Sequence, residues 1–152
     1  NNLPKYKYRL ILQERGEREE SLNQFIASKD KIFISINMIE GIDLKDDLAR
    51  YQILAKVPYP FIGDKRVYER LYERGEEDSF HLHAVESICQ AFGRAVRTDT
   101  DWATFYILDE SFTSLWNRYK DYFTAEFINS YKYGMELKKA LDSNIDFLPK
   151  YA

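Results

Sequence analysis

Cysteine is nearly absent from this chain, with one residue, Cys89, among 152. A lone thiol makes no internal disulfide and supplies no cysteine cluster for an iron-sulfur group within these residues. Histidine is almost as scarce, at His81 and His83 only, which leaves little material for Ser-His-Asp hydrolysis. With 6 Gly and 4 Pro, long flexible stretches and intrinsic disorder are not expected. No run approaches the roughly 18 apolar residues that span a bilayer, and the N-terminus lacks the basic and apolar regions of a signal peptide. The expectation is no membrane and an intracellular location, cytoplasmic in a prokaryote. Positive charge is not in excess either: the net charge is −3 and the pI about 5.5, so there is no global basic field of the kind that drives nucleic-acid binding.

Apolar and aromatic residues are plentiful, at 45% hydrophobic content with 12 Tyr and 10 Phe. That is enough to bury the core of one ordinary domain. No internal repeat and no low-complexity segment interrupts it.

Tyr8 to Leu12 reads as a short strand, and Glu17 to Ser28 as a helix with apolar positions at Leu22, Phe25 and Ile26. Lys31 to Ile36 is a nearly continuous apolar run, as expected of a parallel strand covered on both faces, and Tyr51 to Val57 is a second. Pro58 and Pro60 stop that strand. From Phe61 to Phe80, opposite charges at three- and four-residue spacing predict an exposed helical excursion. His81 to Arg97 reads as an amphipathic helix, Ala103 to Leu108 as a strand, and Ser111 to about Leu141 as helical. The predicted order is β-α-β-β-α-β-α, an α/β fold with a mainly parallel sheet, in which ligands gather at the carboxyl ends of strands. The loops after Ile36 and Val57 sit there.

Two segments carry candidate chemistry. On the helix from His81, Leu82, Val85, Ile88, Cys89, Phe92 and Val96 form an apolar stripe for the core. Gln90, Arg94 and Arg97 form a second stripe on roughly the opposite side, with Gly93 at its flank removing a side chain where a backbone or ligand approaches. A guanidinium is a planar fork of donors suited to polyphosphate, yet most helices carry a polar face, and spacing alone does not decide between the two. The other segment runs from Ser35 to Leu44, where an apolar strand opens into a loop bearing Asn37, Met38, Glu40, Gly41 and Asp43. Alone, that loop reads as a turn as readily as a site.

Together, MIEGIDLKDD at 38–47, a strand ending in VPYP at 57–60, QAFGRAVR at 90–97 and a strand ending in LDESF at 108–112 resemble motif V, its following strand, motif VI and the next strand of superfamily-2 helicases. The Glu-Gly-Ile-Asp core and the Q-x-x-G-R-x-x-R pattern look most like the XPD/DinG branch, as does LPKY at 148–151. The likeness is specific through residues 31–112 and weak at 61–80 and 113–147.

The resemblance implies a RecA-like P-loop-NTPase-type domain, the second motor domain of an ATP-dependent DNA helicase. Residues 1–152 would form that domain, incomplete at its N-terminus, with 113–152 as a C-terminal helical segment packing on it. It implies that Arg94 and Arg97 act as arginine fingers on ATP, that Gln90 and Gly93 shape the ATP cleft with Glu40, Gly41 and Asp43, and that the motif V loop, through Asn37 and Met38, contacts single-stranded DNA. Movement would be 5′ to 3′. The chain has no G-x-x-x-x-G-K-[ST] phosphate loop and no aspartate-glutamate magnesium motif. ATP and Mg2+ are therefore expected to be held mainly by a first RecA-like motor domain elsewhere in the protein, and the chain alone is expected to be inactive. The rival reading is a non-catalytic module that keeps the helicase fold for protein or nucleic-acid binding.

Metal binding is not expected. His81 and His83 do not share a helix face, and Cys89 falls on the apolar stripe. Asp99, Asp101 and Glu110 mimic part of a calcium loop, but Ala103 and Thr104 occupy places that need an oxygen ligand and glycine. Trp116, Tyr119, Tyr122, Phe123, Phe127 and Tyr131, at helical spacing, are expected in the core rather than stacked on bases.

Overall fold

A computed structural model of the chain describes residues 4–13, 16–36, 46–94 and 102–143. The strands are β1 (Leu10–Leu12), β2 (Ile32–Ile34), β3 (Tyr51–Leu54) and β4 (Thr104–Ile107). The helices are α1 (Arg18–Ile26), α2 (Lys65–Tyr68), α3 (Glu77–Phe92), α4 (Ser111–Tyr119) and α5 (Ala125–Ser143). Apart from the helical turns of the excursion and the division of the last helical stretch, this is the order predicted from the sequence.

All strand pairing is parallel, as expected, but among the described residues it forms two separate pairs, β1 with β2 and β3 with β4. Both pairs are joined through a crossover helix, α1 for the first and α3 for the second. β1 is shorter than predicted, because Pro4–Arg9 winds as a 3-10 helix up to its start. Lys31 donates to the Tyr8 carbonyl at 2.8 Å and Arg9 to the Asp30 carbonyl at 2.8 Å, which ties the entry of β1 to that of β2.

The expectation that Lys31 to Ile36 is covered on both faces is corrected. Ile32 and Ile34 remain 48% and 43% exposed, and Ile36 lies 96% exposed beyond the strand. Ile11 and Phe33, paired in register, are the better covered: Ile11 is buried and the Phe33 ring stacks on Phe25 of α1 at 5.4 Å. Ile26, one of the apolar positions of α1, is exposed.

The core lies where β3 and β4 meet α3, α4 and α5. Val57, Ala84, Val85, Ile88, Phe112, Leu115, Tyr119, Phe123 and Phe127 are buried together. Val85, Ile88 and Leu115 are almost wholly enclosed, each contributing about 1.5–3 kcal/mol of apolar burial. The aromatic spacing read from Trp116 to Tyr131 builds this core: Phe123 stacks on Phe127 at 4.7 Å, and Trp116 meets Tyr131 at 4.3 Å. Tyr122, expected with them, is exposed because it falls in the 3-10 turn Lys120–Tyr122 between α4 and α5.

The charged excursion is as exposed as its pattern predicts. Asp64 caps α2 by accepting the Arg66 backbone N–H at 2.9 Å, Lys65 pairs with Glu69 four residues on, and the chain continues as a wide π turn over Glu69–Glu73. Gly75, at φ +67, reverses it into α3. This helix begins four residues earlier than predicted. Glu77 and Asp78 fill its first turn, where acidic groups favour the helix dipole, and both are held by Arg118 of α4.

Candidate functional site

The carboxyl end of β3 runs into Val57–Pro60, and Asp109, just past β4, pins it there. One Asp109 carboxylate oxygen accepts the Val57 backbone N–H at 2.8 Å and the other accepts that of Ser111 at 3.0 Å. The second bond satisfies an orphan donor of the first turn of α4. These bonds, the one from Val57 first, hold the Asp109 carboxyl below its ordinary value of 3.8, so it stays ionised at neutral pH.

Tyr59 extends the same edge. Its ring lies flat on Phe80 at 5.2 Å and meets His81 edge-on at 5.6 Å. His81 in turn stacks on Tyr119 at 5.1 Å. The Tyr119 hydroxyl donates to Asp78 at 2.6 Å. Burial, and then that bond, push the Tyr119 phenol up to about 12. The amino end of α3 is thus fastened to the carboxyl end of β3.

The other end of α3 carries the polar stripe. Phe92 meets Phe105, the second residue of β4, at 6.0 Å and Phe127 at 5.2 Å. The last turn of α3 therefore lies beside the amino half of β4, away from the VPYP edge. Leu82, Val85, Ile88, Cys89 and Phe92 face the core as predicted, and Gln90 faces solvent.

The helix was expected to run to Arg97, but it ends at Phe92 with Gly93 as its cap, φ −71 and ψ 1. Glycine is a poor helix former and is favoured where helices stop. Arg94 follows in a turn, its N–H on the Ala91 carbonyl at 3.2 Å, and is half-buried. A Cβ on Gly93 would meet the Cys89 carbonyl at 3.5 Å and the Gln90 carbonyl at 3.9 Å, ordinary van der Waals contact without a clash. Val96 and Arg97 lie outside the described residues, as do Asn37, Met38, Glu40, Gly41, Asp43 and the LPKY segment.

A hollow of about 510 Å3 lies between the excursion and α3, lined by Arg70, Leu71, Glu76, Phe80 and His83 among others. Gln90, Gly93 and Arg94 do not line it. His83 and Ser87 are 3.4 Å apart, whereas His81 is committed to the Glu77 carbonyl at 2.8 Å.

Asp109 was not singled out by its sequence. An Asp two residues before a helix signals a cap, but its bond to Val57, 52 residues away, leaves no local trace.

Parallel strand pairs with crossover helices packed on an apolar core make an α/β domain, consistent with a RecA-like fold. The chain belongs to the helicase C-terminal domain family, whose model matches residues 1–130, and within it to the C-terminal helicase domains of XPD/DinG type. It is 29% identical over 128 residues to the ATP-dependent DNA helicase XPD of Sulfolobus acidocaldarius, covering 76% of this chain and 22% of that protein. It is 24% identical over 131 residues to the ATP-dependent DNA helicase CHL1 of Vanderwaltozyma polyspora, covering 71% and 16%. A third relative, the regulator of telomere elongation helicase 1 homolog of Caenorhabditis elegans, is 29% identical over 89 residues, or 49% and 9%. The chain thus spans about a fifth or less of the length of the curated relatives it matches.

Proposed function

We propose that this chain is the second motor domain of an ATP-dependent DNA helicase, acting on ATP held mainly by a first RecA-like domain of the same protein. The observation that carries the reading is its membership of the helicase C-terminal domain family, whose matched relatives are ATP-dependent DNA helicases by name. In this reading Arg94 and Arg97 reach the phosphates across a shared cleft. Their fixed positive charge stabilises the charge that develops on the transferred phosphoryl group. Gln90, exposed in the last turn of α3, orients that helix end, and the missing side chain at Gly93 lets the opposite wall approach.

The loop carrying Glu40, Gly41 and Asp43 links the cleft to single-stranded DNA, with Asn37 and Met38 at the nucleic acid and movement 5′ to 3′. Mg2+ would be held mainly by the first domain, where it would supply positive charge against the phosphates. A cleft with arginines on one wall and its phosphate cradle on the other hydrolyses ATP only when both walls are present. Titration of the purified 152-residue chain with a fluorescent ATP analogue, alongside a phosphate-release assay, is expected to give no turnover and no micromolar binding. Micromolar binding with turnover overturns the two-wall arrangement.

A further inference from the structure

The end of α3 that carries Gln90, Gly93 and Arg94 is seated on two neighbours. Phe92, the last helical residue, meets the Phe105 ring of β4 at 6.0 Å and the Phe127 ring of α5 at 5.2 Å, at interplanar angles of 88° and 75°. Edge-to-face pairs at this spacing attract beyond the area they bury. Three residues earlier, Cys89 stands over the start of α5, where Thr124 offers its N–H and its hydroxyl to the sulfur. Thr124 also opens that helix: its hydroxyl accepts the Phe127 N–H at 3.3 Å and its carbonyl that of Ile128 at 3.0 Å. Phe127 is 3% exposed and stacks on Phe123 at 4.7 Å, so the seat is part of a close-packed interior that resists small displacements.

An apolar residue on the buried stripe of α3 stabilises the fold whatever follows it. What separates Phe92 from Val85 and Ile88 is that the helix stops directly after it, at Gly93. Past that point the regular helical ladder no longer sets the course of the chain. The Gly93 N–H donates to the Cys89 carbonyl at 3.0 Å and the Arg94 N–H to the Ala91 carbonyl at 3.2 Å. Both bonds return to the turn whose side chains rest on α5 and β4. We propose that Phe92, held by Phe105 and Phe127, is the positioning residue of Arg94, so that α5 takes part in ATP turnover by fixing where the guanidinium leaves α3. The role rests on the arginine-finger reading of Arg94. Phosphoryl transfer is sensitive to such placement, since a displacement of about 1 Å costs on the order of 10²-fold in rate.

Steady-state kinetics of DNA-stimulated ATP hydrolysis by the full-length protein test it. Phe92→Leu stays apolar but gives up the ring contacts with Phe105 and Phe127. It is expected to lower kcat about tenfold with KM for ATP unchanged, because a displaced arginine is missed in the transition state and not in binding. Phe123→Leu is the comparison, the same change in the same core, where the ring meets Phe112, Trp116 and Phe127. It should lower the thermal midpoint by as much and leave kcat within about twofold of wild type. In an Arg94→Lys background Phe92→Leu should cost little more, since the two changes act through one group. Phe92→Met, which also stays apolar and loses the ring, takes its place if the leucine variant does not fold. A Phe92 variant that slows turnover no more than Phe123→Leu, or whose loss multiplies with that of Arg94→Lys, overturns the positioning role and leaves the arginine finger standing. Wild-type turnover in Arg94→Lys itself overturns both.

Discussion

Tyr119 is buried among aromatics, yet its hydroxyl reaches Asp78, which is largely exposed. Because folding raises the phenol from 10.0 to about 12, the folded chain holds that proton more tightly than the unfolded one. The stability this contributes is complete below pH 10 and is lost as pH rises toward 12. Tyr119→Phe removes the hydroxyl but keeps the ring against His81, so it should cost about 1 kcal/mol at neutral pH. The gap from wild type should then close between pH 10 and pH 12. Urea unfolding of both chains at stepped pH measures it; a gap that stays constant through that range means the Asp78 bond does not hold the proton. Asp109 works in the opposite sense. Its carboxyl is held below 3.8, so the pin between Val57 and Ser111 persists at every pH above that value and weakens only in acid.

At the level of elements, α3 was the most legible part of the sequence. Its apolar residues recur at helical spacing, and the side they define is the buried one. The cap at Gly93 was not anticipated, because the spacing of Gln90, Arg94 and Arg97 continues the helical period past a residue that stops the helix. The strands were legible as runs of apolar residues, but their cover was not. An unbroken run such as Lys31 to Ile36 says that a strand prefers to be enclosed and carries no information on what encloses it. Of the candidate site, the motif pattern was legible as family membership, whereas the fastening of the VPYP edge by Asp109, Tyr59 and His81 depends on contacts far apart in the chain. Two substitutions separate packing from function on α3. Ile88→Ala, at a fully enclosed position, should cost about 2–5 kcal/mol. Gly93→Ala, with φ −71 and no clash for the methyl, should change stability by about 0.5 kcal/mol or less, while lowering ATP turnover in the full-length protein if the cleft closes over that position. Thermal unfolding and a turnover assay on each variant decide; a Gly93→Ala chain that unfolds shows that the glycine serves the fold.

For the whole molecule, net charge sets the limit on what one domain does alone. At −3 the chain has no long-range attraction for a polyanion, so single-stranded DNA should bind it weakly and lose affinity as salt rises, in proportion to the phosphates contacted. Fluorescence anisotropy at low and high salt is the check, and tight, salt-insensitive binding would shift attention to stacking on exposed aromatic surface. The proposed two-walled cleft makes a sharper demand. Replacing Arg94 or Arg97 by Lys keeps the charge and loses the planar fork, and an arginine supplied to a phosphoryl-transfer site is worth roughly 10³ to 10⁵ in rate. The decisive measurement is DNA-stimulated ATP hydrolysis by the full-length protein carrying Arg94→Lys or Arg97→Lys, with the thermal midpoint recorded beside it. A fall of about tenfold or more in turnover with an unmoved midpoint is the predicted result; turnover at the wild-type rate in both variants would contradict the arginine-finger role of this domain.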